Sequence, residues 1–406
     1  MPQFRARYAL LMPAIVVAFF CGCTARIATA QSDQALASVS FELYHNRVYL
    51  PVEVDGRVVT KMILDTGAAD SGLSESVAQG LNLKFSGTAQ LVGNGESNQK
   101  VALARNVRFN VGGAELVEKT TLIIPFSSIE AREGRAVAGV LGVSLFRKYV
   151  VVLDYQRKQL SLFAPGSFVY HGSGDVIPLH FAGAALLQAD IRLRDGRIVP
   201  AQLGIDLGTY SALRLYPRFA QQNGILADPK IPSISSFGFG IGGEFPETLV
   251  RVDDLKIGEL GIRMPFASIS NASHGATAIS RYDGTIGGAI LRRFTVTLDY
   301  SRSRMILEPN ADFAAPFHAD TSGLVLSASG PNFKTISISH VIPNTPAAAA
   351  DIREGDVLLA VDGADAGSLG LEQIRLFLCR PGSYRLRFQR ASKDVSVNLT
   401  TRDLVP

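Results

Sequence analysis

Tryptophan is absent from this chain, and cysteine and histidine are scarce: three Cys and six His among 406 residues. Three cysteines cannot build the framework of a disulfide-rich scaffold. The histidines are scattered and form no H-E-x-x-H pair, which leaves little material for metal or thiol chemistry. No G-x-S-x-G elbow and no phosphate-binding loop occurs. A strong charge of one sign is also missing. The 40 basic residues face 36 acidic ones, so the net +4 excludes the basic footprint of a nucleic-acid binder. Disorder is excluded by a composition 47% hydrophobic and only 19% charged. What is abundant is glycine, 38 residues, which points to a turn-rich and β-rich chain. At roughly 100–200 residues per domain, the length allows two to four domains.

Residues 1–30 read as a signal peptide. Arg5 and Arg7 precede an apolar run from Tyr8 to Phe20, shorter than the roughly 20 residues of a membrane span. Ala28-Thr29-Ala30 supplies the small residues of a cleavage site. Gly22-Cys23 resembles a bacterial lipoprotein box with Cys23 as the lipidated residue, although Phe20 and Cys21 match that box poorly. The expected compartment is outside the cytoplasm, in the periplasm or cell envelope, with membrane attachment only if Cys23 is lipidated. Cleavage after Ala30 would remove Cys21 and Cys23 and leave Cys379 alone, so no intramolecular disulfide is expected.

The rest of the chain contains a long repeat. Val48, Leu50, Val52 and Val54 alternate, then Asp55-Gly56 turns the chain into a strand ending at Ile63-Leu64-Asp65. Leu187, Ala189, Ile191 and Leu193 alternate likewise, then Asp195-Gly196 leads to Gly204-Ile205-Asp206. Downstream, Gly139-Val140-Leu141-Gly142 parallels Gly284-Thr285-Ile286-Gly287. Leu153-Asp154-Tyr155 parallels Leu298-Asp299-Tyr300. The expectation is two similar β-rich lobes over 36–165 and 175–310, joined by the Gly/Pro/Ser-bearing linker Ala164–Gly174. A third composition, over 318–403, contains a helical stretch at Leu371, Ile374 and Leu378 stopped by Pro381-Gly382, then two alternating strands. It reads as a small αβ domain.

The repeat delivers one carboxylate, Asp65 or Asp206, from a hydrophobic strand to a glycine-bearing turn in each lobe. If the lobes pack about a pseudo-two-fold axis, the two carboxylates meet and share one proton. The charged one can act as a base on water, and the protonated one can polarise and then protonate the substrate. Leu64-Asp65-Thr66-Gly67-Ala68 resembles the active-site triplet of retropepsin-like aspartic proteases. The strands at Val140-Leu141-Gly142 and Thr285-Ile286-Gly287 are similar to that family's second element in each lobe. The resemblance implies two acid-protease-like β-barrel lobes and hydrolysis of peptide or unfolded protein by Asp65 and Asp206, without metal or cofactor. Thr66, Gly67, Gly208 and Thr209 would support the active-site turns. Leu207 departs from the family, which carries Thr or Ser there to hydrogen-bond across the pair.

The same family needs glycine-bearing flaps over its substrate. Gly93 and Gly95 in lobe one and Gly240 and Gly242 in lobe two are the candidates, with ordinary surface hairpins as the alternative. Gly238, Gly240 and Gly243 also satisfy G-x-G-x-x-G, but Pro246 and a strand-like run follow where a dinucleotide site needs a helix. Asp154 and Asp299 read as turn formers, Asp70 as a surface acid, and Cys379 as a packed core thiol.

Pro343-Asn344-Thr345-Pro346-Ala347, with Gly355-Asp356-Val357-Leu358 and Val361-Asp362-Gly363, resembles a bacterial-type PDZ domain. Such a domain would bind a peptide C-terminus, with Gly323 and Leu324 in the carboxylate loop and Leu371–Cys379 as the groove helix. Asp351 stands where the family commonly has glycine. The sequence thus reads as an exported aspartic endopeptidase with a PDZ domain. The alternative is a catalytically impaired, exported peptide-binding protein, a reading motivated by Leu207 and the PDZ domain.

Overall fold

Alternating burial shapes the first strands. In Arg47–Val54 the side chains of Val48, Leu50, Val52 and Val54 are buried. Asp55 and Gly56 then take φ of 50° and 68°, a conformation Asp tolerates and Gly adopts freely. The chain returns along Val58–Leu64 with Val54 opposite Val58. This computed structural model describes residues 34–406, so the signal sequence expected over 1–30, with Cys21 and Cys23, lies outside the described residues. Among the described residues no helix is long and apolar enough to cross a membrane.

The described residues are mainly β and form four sheets. In the first, Val58–Leu64 runs parallel to Gly139–Leu141, which is flanked on its other side by antiparallel Gly72–Ser74. In the second, Ile198–Ile205 runs parallel to Gly284–Ile286, flanked by antiparallel Leu213–Leu215. The same crossing therefore occurs twice. A strand enters, the chain turns away, and a later short strand inserts between the two arms of that turn.

A six-stranded sheet joins the two halves. Ala37–Ser40, Gln159–Phe163 and Val150–Asp154 come from one half; Phe294–Asp299, Arg304–Pro309 and Asp175–Pro178 come from the other. At its centre Val152 faces Thr297 in antiparallel register. Each lies two residues before its repeated aspartate, Asp154 or Asp299, so equivalent residues face each other and the pairing is locally two-fold. Residues 164–174 form no strand or helix and link the halves. One hydrophobic cluster, including Leu50, Leu141, Leu203 and Ile286, runs through both. The repeated aspartates do act on turns: Asp154 Oδ1 accepts from Arg157 N at 2.8 Å, and Asp299 Oδ1 accepts from Ser301 Oγ at 2.6 Å.

The C-terminal domain has its own core around Leu326, Ile336, Ile374 and Phe388. Its strands run in the order Leu324–Ser329, Thr335–Val341, Val357–Val361, Ser383–Arg390 and Lys393–Thr400. Ala366–Leu378 forms the helix, capped by Asp365, whose carboxylate accepts from Ser368 N at 2.8 Å. Leu371, Ile374 and Leu378 face the core. Asp351 takes φ 52°, the left-handed conformation that suits glycine; Arg353 and Arg390 pair with its carboxylate.

Candidate active site

The repeated crossing brings the two aspartates together. Asp65 N donates to Leu141 O at 2.9 Å and Asp206 N to Ile286 O at 3.0 Å, so each turn is pinned by the strand inserted beside it. Asp65 Oδ1 accepts from Gly67 N at 2.7 Å and Ala68 N at 3.2 Å. Asp206 Oδ1 accepts from Gly208 N at 3.0 Å. A side chain on Gly208 would collide with the Asp65 carboxyl, and one on Gly67 would meet Asp206 Oδ1 at 3.0 Å. Each carboxyl thus lies over the other lobe's glycine, and Gly208 requires the missing Cβ.

Thr66 Oγ1 donates to Ile205 O at 2.7 Å and accepts from Leu207 N at 3.0 Å. Leu207, buried at 1% exposure, has no hydroxyl to return these bonds. The Thr209 hydroxyl bonds Ser211 Oγ at 3.1 Å, and its backbone N–H serves Asp206. Asp70 is exposed at the rim of the cleft.

Burial pushes both carboxyls above the ordinary carboxylate range. For Asp65 the charge of Asp206 adds to this rise, and the amides of Gly67 and Ala68 oppose it. For Asp206 the positive charges of Arg214 and Arg47 pull downward against burial. Two buried carboxyls in this arrangement hold a proton at a pH where isolated ones would not.

Arg47 and Glu133 escaped the sequence reading. Arg47 Nε donates to Gly208 O at 2.6 Å, tying the start of strand Arg47–Val54 in lobe one to lobe two's aspartate turn. Its guanidinium also pairs with Glu133, which accepts further bonds from His45 Nδ1 at 3.0 Å and Tyr49 Oη at 3.2 Å. A charged residue at the start of a strand gives no signal of burial.

The four flap glycines meet. Ser233–Gly240 and Gly243–Arg251 form a hairpin whose tip, Ile241-Gly242, lies against residues 92–98 of lobe one. Gly95 N donates to Ile241 O at 2.9 Å and Ser97 N to Gly242 O at 3.1 Å. Side chains on Gly93 or Gly95 would collide with the Ile241-Gly242 backbone. Both tips line one cavity of about 1190 Å³ with Asp65 and Asp206. Gly238–Gly240 end one strand and Gly243 begins the next, so a strand follows the G-x-G-x-x-G pattern.

That cavity extends to Leu326, Glu372 and Cys379 of the C-terminal domain. Leu324–Ser329 is the edge strand of its sheet, and the helix Ser127–Glu133 of lobe one lies against it. Arg132 Nη1 donates to Leu326 O at 2.6 Å and to Ser339 Oγ at 2.9 Å, while its Cζ sits 3.5 Å from the ring centroid of Phe239 in the flap hairpin. His340 stacks on Phe237 at 4.0 Å and pairs with Glu244 at 2.6 Å. Gly323 and Leu324 have their amides engaged within the chain: Gly323 N donates to Asp320 Oδ2 at 2.5 Å and Leu324 N to Ser322 Oγ at 3.0 Å. Cys379 caps the helix and lines the cavity instead of packing inside the core; burial, then the charges of Asp320 and Glu372, pushes its thiol up to about 12. Among the described residues no group of three or more His, Cys, Asp or Glu could hold a metal ion.

Residues 50–145 match the aspartyl protease family model, and residues 320–389 match the PDZ domain model. The first match includes Asp65 and the inserted strand Gly139–Leu141 and stops before Asp206. Comparison with curated proteins gives no match.

Proposed function

We propose that this chain, which carries an aspartyl protease domain and a C-terminal PDZ domain, is an exported aspartic endopeptidase with two acid-protease-like lobes. One observation carries the reading: Asp65 and Asp206 stand on matched turns, each carboxyl seated over the opposite lobe's glycine.

The geometry supports a one-proton dyad. Arg214 and Arg47 favour negative charge on Asp206, so Asp206 takes a proton from water. The water oxygen bonds to the scissile carbonyl carbon, and the carbonyl π electrons move onto its oxygen. Protonated Asp65 hydrogen-bonds that oxygen and gives up its proton as charge develops. The tetrahedral intermediate then collapses: one of its hydroxyls returns a proton to Asp65 as the carbonyl re-forms, the C–N bond breaks, and the nitrogen leaves as an amine carrying the proton from Asp206. The joined flaps close the cavity over the aspartates and limit bulk water during these steps. In the PDZ domain, the groove beside Leu324–Ser329 is the expected site for a peptide C-terminus.

Asp65→Asn and Asp206→Asn test the dyad. Cleavage of an unfolded protein by the full chain is expected to fall at least 10²- to 10⁴-fold in each variant, from pH 4 to pH 8. Unchanged turnover in both would falsify the assignment. The one-sided hydroxyl bond at Thr66–Leu207 favours a second reading, a non-cutting peptide binder. That reading requires peptide affinity in the wild-type chain with no turnover at any pH. Export is tested by determining the N-terminus of the protein recovered from the cell envelope.

A further inference from the structure

The two lobes present unlike walls to the cavity. In lobe one the row beside Asp65 is Ile63, Val140, Gly72 and Leu122, neighbours across four strands. In lobe two the equivalent row beside Asp206 is Gly204, Thr285, Arg214 and Ser268. The rows correspond because Ile63 and Gly204 each lie two residues before their aspartate. Val140 and Thr285 each precede the residue whose carbonyl pins that aspartate's amide. Where lobe one has Gly72, whose Cβ position would lie 2.6 Å from Ile124 Cδ1, lobe two places an arginine.

Arg214 is 2% exposed and lines the cavity. Among the described residues no hydrogen bond or ion pair engages its guanidinium, and its Nε is buried without a partner. Its one contact of note is the Phe245 ring, 5.5 Å from Cζ. Beside it, Thr285 Oγ1 is also buried without a hydrogen-bond partner, while the Ser268 hydroxyl serves the neighbouring Glu247 carboxyl. Glu247 makes no ion pair with Arg214, and burial pushes its carboxyl upward, toward the neutral form, against the pull of Arg214. The other cations near the aspartates are committed: Arg47 to Glu133 and Gly208, Arg132 to Leu326 and Ser339. A buried guanidinium and a hydroxyl left open toward a cavity are what a planar acceptor fills.

We propose that Arg214, with Thr285, forms a subsite for an acidic side chain, so that the peptide substrate carries Asp or Glu on the lobe-two side of the scissile bond and an apolar residue on the lobe-one side. This deepens the endopeptidase reading and rests on it. Lobe one supplies the apolar half through Ile63, Val140 and Leu122, and the carboxylate accepts the fork of Arg214 in lobe two. A site built around a buried polar group rejects the analogue that cannot pair with it.

Paired peptides differing only by Glu or Gln at that position test the subsite, with the full chain as enzyme and products mapped by mass spectrometry. The wild-type chain is expected to prefer Glu by about 10- to 100-fold in kcat/KM, the range of one charge-assisted hydrogen-bonded contact. In Arg214→Met the Glu-to-Gln ratio is expected to collapse to about one, and in Arg214→Lys to an intermediate value. A wild-type ratio near one, or a ratio that survives Arg214→Met, overturns the proposal. Calorimetric titration of Asp65→Asn with the same pairs reads the preference without turnover, even if Arg214→Met does not fold. Equal affinity for both peptides there also overturns the subsite. Preferential binding of the Glu peptide with no cleavage by the wild-type chain retains the subsite and rejects the endopeptidase reading.

Discussion

The Thr66 hydroxyl joins Leu207 across the two aspartate turns, accepting from its N–H at 3.0 Å while donating to Ile205 O at 2.7 Å. The exchange runs one way only, so one side chain carries a clasp usually shared by two. Thr66→Val leaves a buried N–H and a buried carbonyl without partners and is expected to cost about 2–4 kcal/mol by urea denaturation. Leu207→Thr gains about two hydrogen bonds, worth about 1 kcal/mol each, and loses a comparable amount of apolar burial. Its expected stability change is within about 1 kcal/mol. Destabilisation of Leu207→Thr as large as that of Thr66→Val would show that the turn does not accept a second hydroxyl.

Opposite pH signatures are expected from two buried acids. Asp65 is raised by burial and the charge of Asp206, so its folded state holds the proton more tightly than the unfolded chain. Stability therefore declines as pH climbs from the unfolded value through the folded one. Asp65→Asn should raise Tm at pH 8 and raise it less at pH 4. For Glu133 burial alone would raise the carboxyl, but Arg47 and His45 overcome it and hold it low. Its contribution is present above the unfolded value and is lost as pH falls toward the folded one. Glu133→Gln should lower Tm at pH 7 and approach the wild type in strong acid.

The flap contact can be locked. The Cβ position of Gly240 lies 3.1 Å from Asn94 Cβ, close to disulfide range. Asn94→Cys with Gly240→Cys, oxidised, is expected to lose at least about 90% of protein cleavage and to regain it on reduction. Full activity in the oxidised state would mean that substrate enters without parting the tips.

Arg132 holds a carbonyl of the strand on which a PDZ ligand would pair. Arg132→Ala removes that competing donor and is expected to tighten binding of C-terminal peptides about tenfold, the equivalent of one charge-assisted bond. Unchanged affinity by fluorescence titration would place the ligand away from this edge.

Local rules made much of the framework readable. Alternation at Val48, Leu50, Val52 and Val54, and the Asp55-Gly56 turn, follow from side-chain period and positive φ. Repetition around Asp65 and Asp206 announced two matched crossings. What escaped depends on which solvent a face meets. Arg214 lies between Leu213 and Leu215, both fully buried, and alternation turns it away from the core. On an ordinary sheet that face meets bulk water; here it meets the cavity that holds the two aspartates. Arg47 and Glu133 pair across lobe one without any periodic trace. The flap glycines were visible as hairpin tips, but their mutual hydrogen bonds depend on closure of the whole molecule. A carboxylate-loop resemblance at Gly323 and Leu324 carries no sign that Asp320 and Ser322 take their amides.

The pairing of Val150–Asp154 with Phe294–Asp299 bears on how the chain survives damage. Neither half ends at a closed surface there; each presents a strand whose ladder is completed by the other. A protease that nicks the irregular segment 164–174 severs the covalent link and leaves that ladder whole. Nicked protein should therefore migrate as a single species under native conditions and separate into two fragments only in denaturant. Expressed alone, either half would carry a raw β edge at its centre, and insolubility or self-pairing is its expected fate.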